Sequence, residues 1–315
     1  MKLKIMMVLF VLVQGCSSGD APSQQWEVAV QGLYSAALSK DGRHLLIGSV
    51  HHGGSYWQLD GLERLYNWNH QAEMQTGLVA VAISDNQQYA ATAEHRKIVL
   101  WNAKTGEAFW MWEAPSDIRD MDLSDSGQFA LLGLESYEAA LFDIQNGGVK
   151  RRLRHEGIVQ AVDMTPDLKW GITGDDDSTV KLWDLASGKL IYEWKLDNQI
   201  KVVAIDEAGS TAFAASHRGD CLVWDLSTGK LKATIKATSG HFLSARLQTD
   251  GKQLLTGNSS GQVQLWNAAT GDLVRTWHLT PRNEWVGRAT QVLDVAFSSK
   301  GAKAVGANGL VYQLN

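Results

Sequence analysis

Two cysteines and four prolines in 315 residues exclude a disulfide-stapled mini-protein and a proline-rich linker. There is no excess of positive charge. Twenty-nine basic residues face 34 acidic ones, giving −5, and removal of Lys2 and Lys4 with a leader would make it −7. A general nucleic-acid binder is thereby excluded as the expectation. No apolar run approaches the eighteen or so residues that cross a bilayer as a helix. His-Glu-x-x-His and Cys-x-x-Cys are missing, as is any phosphate-cradling glycine loop before a helix, so no metal or cofactor is expected. Present instead are 30 Gly and 13 Trp, with 44% apolar residues, a turn-rich and aromatic-rich composition able to build a large core.

The longest apolar stretch, Ile5 to Val13, follows Lys2 and Lys4 and ends at Val13-Gln14-Gly15-Cys16. Nine residues span about 14 Å as a helix, roughly half a bilayer core, which is the length of a secretory leader. The Val-x-Gly-Cys ending resembles the lipobox of bacterial lipoproteins, although Gln14 is uncommon at its position. The resemblance implies a signal peptide over residues 1–15, lipidation of Cys16, and a flexible tether over 16–25. With Ser17 next, its sorting rule implies the outer membrane, facing the periplasm. Cys221, in the apolar stretch Cys221-Leu222-Val223-Trp224, reads as a buried small hydrophobe.

From residue 26 onward the chain repeats. Trp101, Phe142, Trp183, Trp224 and Trp266 each close an apolar stretch, precede Asp or Asn, and are spaced by 41, 41, 41 and 42. Weaker copies stand at Leu59-Asp60 and Leu314-Asn315. Gly follows five residues after five anchors, at 106, 147, 188, 229 and 271, where it permits the positive φ of a hairpin. Two strands before each anchor and one after the glycine make four antiparallel strands per repeat of about 42 residues, the dimension of a propeller blade. The expected fold is all-β, a seven-bladed propeller over residues 26–315. The seventh repeat has three strands of its own, so Gln25 to Val30 is expected to supply the fourth and close the ring.

These repeats resemble the WD-repeat family of β-propellers. The fourth copy matches best and implies a structural hydrogen-bond tetrad of His155, Thr173, Asp177 and Trp183. At the Asp position the other copies carry Gly53, His95, Ser136, Arg218, Ser260 and Asn308, and they are expected to lack the tetrad. Gly257-Asn258-Ser259-Ser260-Gly261 fits a nucleophile-elbow pattern but joins two strands with no helix following, so a turn is expected. His51-His52 and Asp175-Asp176-Asp177 have no second ligand group at metal-binding spacing. Val149 to His155 forms the one basic run, on an outer strand where charge discourages edge pairing. Trp112, Trp194 and Trp277, each six residues after a turn glycine, are expected between blades.

The largest departure from the repeat is Leu279 to Thr290, which holds Arg282, Trp285 and Arg288. Trp and Arg are common interface anchors, so these three, with His95, Arg218 and Asn308, are the candidate partner contacts. A loop folded back on the seventh blade is the equal alternative. The family resemblance implies a non-catalytic scaffold, taken to be a monomer, that binds envelope proteins. The alternatives are a channel that holds a sugar, peptidoglycan fragment or quinone-like cofactor, or an assembly-factor lipoprotein. The last rests on Asn102 to Trp110, which resembles the docking motif of quinoprotein-like propellers.

Overall fold

The computed structural model describes residues 19–70, 77–219, 221–237, 239–282 and 290–315. Cys16, Trp285 and Arg288 lie outside these residues. Among the described residues every regular element is a strand. β1 (Gln24–Glu27) precedes the ring. Blade 1 is β2 (Leu33–Leu38), β3 (His44–Ser49), β4 (Gly53–Gln58) and β5 (Glu63–Trp68). Blade 2 is β6 (Ala80–Ile83), β7 (Tyr89–Glu94), β8 (Lys97–Asn102) and β9 (Ala108–Glu113). Blade 3 is β10 (Ile118–Leu123), β11 (Phe129–Leu134), β12 (Glu138–Asp143) and β13 (Val149–Arg154). Blade 4 is β14 (Val159–Met164), β15 (Trp170–Asp175), β16 (Thr179–Asp184) and β17 (Lys189–Lys195). Blade 5 is β18 (Ile200–Ile205), β19 (Thr211–Ser216), β20 (Cys221–Asp225) and β21 (Lys230–Thr234). Blade 6 is β22 (Phe242–Leu247), β23 (Gln253–Asn258), β24 (Gln262–Asn267) and β25 (Leu273–His278). Blade 7 is β26 (Val292–Ser298), β27 (Gly301–Gly306) and β28 (Leu310–Leu314), completed by β1.

Each sheet is a four-stranded antiparallel meander, and the innermost strands touch in ring order, with β2 meeting β26. β1 pairs antiparallel with β28, Trp26 opposite Val311, so the first and last strands share blade 7. The chain before β1 does not stay there. Asp20 crosses to blade 6 and forms a parallel bridge to Trp277 on β25, where its carboxylate meets Arg275 at 2.7 Å.

Alternation explains how the sheets stack. Middle strands such as β7 and β15 are apolar on both faces, because each blade is covered on both sides by a neighbour. Buried side chains form seven clusters, one at each seam between adjacent blades. The seam between blades 1 and 7, closed without a covalent link, is as apolar as the rest, with Leu45, Ile47, Ala296 and Val311 in contact. Cys221 is buried in the seam between blades 5 and 6.

Register corrects one repeat. In blade 1 the residue equivalent to Trp183 is Trp57, opposite Leu45 as Trp183 is opposite Gly171, and not Leu59. Leu59 lies in the turn after β4, buried against the seam to blade 7. Trp194 stacks on Trp224 at 4.6 Å and Trp277 is buried, as inter-blade packing requires, but Trp112 remains 38% exposed.

Candidate interaction face and axial channel

Strand direction divides the molecule into two faces. Turns between the second and third strands, together with the connections between blades, form what we call the upper face. Turns between first and second, and between third and fourth strands, form the lower face. Upper-face geometry is fixed from within by the tetrad of blade 4. The Trp183 indole N–H donates to Thr173 Oγ1 at 2.8 Å, and that hydroxyl lies 2.7 Å from His155 Nε2. His155 Nδ1 is 2.7 Å from Asp175 Oδ2, and Asp175 Oδ1 accepts the Thr179 N–H at 2.8 Å. Burial holds the His155 pKa below its ordinary value, against the pull of the Asp175 carboxylate. The neutral tautomer with its proton on Nδ1 satisfies every partner in this relay.

The carboxylate is therefore Asp175 and not Asp177. β15 ends at Asp175, which points inward and is fully buried, whereas Asp177 lies two residues further into the turn and pairs with Lys195 at 2.9 Å on the surface. Nor is the relay confined to blade 4. In blade 2, His70 Nε2 lies 2.8 Å from Thr92 Oγ1, the Trp101 indole donates to the same oxygen at 2.8 Å, and Glu94 stands where Asp175 does, 3.7 Å from His70 Nδ1. Burial depresses the His70 pKa to about 4. Blade 6 keeps the Trp266 to Thr256 bond at 2.8 Å, and Asn258 at the acidic position accepts the N–H groups of Ser260 and Gln262, each at 2.9 Å.

Along the axis, the structure shows a set of residues that sequence reading did not single out. Asp120 and Asp122 of blade 3 accept the N–H groups of Val162 and Met164 in blade 4, at 2.9 and 3.0 Å. Asp163 of blade 4 accepts the Ile205 N–H of blade 5 at 2.8 Å, and Asp294 of blade 7 accepts the Leu38 N–H of blade 1 at 2.6 Å. Arg246 donates from Nε to the Val295 carbonyl at 2.9 Å and from Nη2 to the Leu38 carbonyl at 3.2 Å, joining blades 6, 7 and 1. Asp122, Asp163 and Arg246 share one register position, and alanine fills it in the other four inner strands. Small residues leave the space that the charged ones occupy. Burial pushes the Asp120 pKa up to about 6. Asp122 and Asp163 are also raised, by burial above all and, for Asp122, by the charge of Asp163.

These groups line a cavity of about 260 Å³. Its lower end is spanned by an ion pair between Lys40 of blade 1 and Glu207 of blade 5, and Glu207 also accepts the Thr249 hydroxyl at 2.8 Å. At its upper end Tyr34, Val79, Leu243 and Leu293 stand together with Ser35, Asp120 and Gln291. The axial carboxylates are thus bonded across blade seams. Among the described residues no group of three or more His, Cys, Asp or Glu is placed to hold a metal ion.

Four candidate contacts are described, and all four lie on the upper face. His95 stands in the turn after β7, largely exposed, 3.7 Å from Asp117. Arg218 is exposed in the turn after β19, and beside it the rings of His217 and His241 are 4.3 Å apart. Desolvation, with His217, Arg218 and Lys201 nearby, keeps the His241 pKa below its ordinary value. Arg218 and Lys201 make a cationic corner over blades 5 and 6 beside His241, which they help hold toward its neutral form, and Lys201 also lines the channel. Arg282 and Asn308 are turned to another use. Arg282 pairs with Glu27 and donates to the carbonyls of Ala29 and Asn308, while the Asn308 amide donates to the Tyr312 hydroxyl at 2.8 Å. Both brace the closure of the ring.

A family profile described as WD domain, G-beta repeat matches residues 148–184, spanning β13 through β16. The chain is 26% identical to the guanine nucleotide-binding protein subunit beta of Oryza sativa subsp. indica, over 66% of this chain and 64% of that one. It is 23% identical to target of rapamycin complex subunit LST8-1 of Arabidopsis thaliana, over 62% of this chain and 81% of that one. With human apoptotic protease-activating factor 1 the identity is 22%, over 74% of this chain and 22% of that one. The chain thus spans about a fifth of that last relative and just under two thirds of the G-protein subunit.

Proposed function

We infer that this chain, a WD-repeat β-propeller of seven blades, is a non-catalytic scaffold that binds protein partners on its upper face. The observation that carries this reading is the division of labour among its charged residues. Axial carboxylates are bonded across the seams, whereas Arg218 and His95 are exposed on the upper face. Rigid loops on a stable ring present contacts at low ordering cost. The cationic corner suits an acidic segment of a partner. The relatives' names, a G-protein subunit and a subunit of a target of rapamycin complex, support assembly rather than turnover.

The test is a photo-activatable aromatic residue placed at Arg218, on the upper face, or at Lys104, in a lower-face turn of blade 2. Covalent capture of a partner from position 218 and not from 104 is expected. Capture from 104 alone would contradict the reading.

We further propose that the scaffold is an outer-membrane lipoprotein facing the periplasm, anchored through Cys16. The leader-like stretch before Cys16 supports this reading, and Asp20 on β25 makes blade 6 the side from which the preceding chain departs. Radiolabelled palmitate should enter the wild type and not Cys16→Ser. Equal labelling of both would refute the anchor.

A further inference from the structure

Outer strands of a propeller are edges, and an unprotected edge pairs with other strands. Four of the outer strands in this ring carry several charges or a cationic cluster. β13 has Lys150, Arg151, Arg152 and Arg154, β17 has Lys189, Glu193 and Lys195, β21 has Lys230 and Lys232, and β5 has Glu63 and Arg64. β25 carries Arg275 and is capped at its end by a single bridge to Asp20: the Asp20 N–H donates to the Thr276 carbonyl, and the His278 N–H to the Asp20 carbonyl, both at 2.9 Å. β9 is neither charged along its length nor covered. Its sequence is Ala108-Phe-Trp-Met-Trp-Glu113, and Phe109, Trp110, Met111 and Trp112 are 45%, 45%, 53% and 38% exposed. Glu113, at its end, is already paired with Arg96.

We propose that β9 is a self-association edge, where a second copy of this chain adds antiparallel to form one eight-stranded sheet across two copies of blade 2. Register defines the pairing. Trp112 lies opposite Ile98 as Trp277 lies opposite Val263, so Met111 and Glu113 are the equivalents of Thr276 and His278, whose backbone groups face outward to Asp20. Phe109, Met111 and Glu113 therefore present the free N–H and C=O groups of β9. A two-fold axis at Met111 sets Met111 against its own copy and Phe109 against Glu113, each as a hydrogen-bonded pair. The same axis sets Trp110 beside Trp112 of the other copy twice, a cross-strand aromatic pairing. No like charges meet, whereas the same operation on β13 would oppose arginines and lysines.

The four side chains expose on the order of 350 Å² per copy, taking aromatic side chains at about 200 Å² each. About 700 Å² over the two copies is below the roughly 1,200 Å² at which standard interfaces begin, so a weak, transient association is expected, at the upper end of the micromolar range. This proposal departs from the monomer expected from sequence and is independent of the upper face.

The experiment is sedimentation equilibrium of the full chain from about 1 to 200 μM. It is run for the wild type, for Met111→Lys, and for Lys150→Glu on β13, with circular dichroism to verify that each variant is folded. A monomer–dimer equilibrium is expected in the wild type and in Lys150→Glu, weakened at least tenfold in Met111→Lys. Met111→Cys should form a disulfide-linked dimer under mild oxidation, since directly opposed residues have Cα atoms about 5.5 Å apart. A wild type that stays monomeric throughout, or a dimer unaffected by Met111→Lys, would overturn the proposal.

Discussion

Replacing Asp175 by Ala and, separately, Asp177 by Ala tests the relay of blade 4 at its weakest link. Asp175 is fully buried and accepts two hydrogen bonds, from His155 Nδ1 at 2.7 Å and from the Thr179 N–H at 2.8 Å. Its removal leaves two buried donors without an acceptor, each costing about 1–3 kcal/mol, so a loss of about 2–6 kcal/mol follows. Asp177 forms an exposed ion pair with Lys195, and such pairs contribute about 0–1 kcal/mol. Guanidinium unfolding followed by tryptophan fluorescence reads the difference directly, because Trp183 sits at the end of the relay. Asp175→Ala should lower the midpoint and Asp177→Ala should leave it nearly unchanged. Equal midpoints for the two variants, or a larger loss at Asp177, would refute the assignment.

The second relay gives a parallel outcome. Thr92→Val in blade 2 keeps the shape but removes the oxygen shared by His70 and Trp101, and should cost about 2–4 kcal/mol in the same unfolding assay. At the axis, the Asp120 pKa is raised by burial from 3.8 to about 6. The folded state therefore binds the proton more tightly than the unfolded one. The stability this adds is complete below about pH 4 and is lost as pH rises through 6, a change of up to about 3 kcal/mol. Asp120→Asn should flatten that part of the wild-type stability profile between pH 4 and 7, as read by urea midpoints at half-unit steps. Removing residues 19–27 deletes β1 and exposes β28, whose Val311 and Tyr312 are fully buried. The truncated chain should melt at least 10 °C lower and aggregate on heating, as differential scanning calorimetry with light scattering would show.

The ring was legible because its period is carried by large side chains at constant spacing, Trp101 to Trp266, and because Gln25 to Val30 alternates like an outer strand. What the period could not resolve was the position of a residue inside a turn. Three consecutive aspartates follow Gly174, and only the end of β15 decides that Asp175 is the inward one. His155 stands four residues before β14, but His70 stands eight before Leu78, the blade 2 counterpart of Val159. Four additional residues removed His70 from the expected spacing and concealed the relay of blade 2. The axial carboxylates carry a local signal, since Asp120 and Asp122 alternate with apolar neighbours in a strand that must face the axis. Arg282 and Asn308 bear the marks of contact residues, yet Arg282 ties Glu27 and the Ala29 carbonyl to the Asn308 carbonyl of blade 7, which is a consequence of closure that no local pattern encodes. Trp112 lies against Gly147 of blade 3, between blades as its period implies, but it stays 38% exposed where Trp277 is buried.

The central claim is that the upper face of a rigid ring binds protein. Cross-linking in intact cells followed by affinity purification of the full chain tests it most directly, comparing wild type with Arg218→Glu and with Lys104→Glu on the lower face. The account predicts a reproducible protein partner that is lost in Arg218→Glu and retained in Lys104→Glu. Recovery of no protein partner, or of one insensitive to Arg218→Glu and lost in Lys104→Glu, would contradict it.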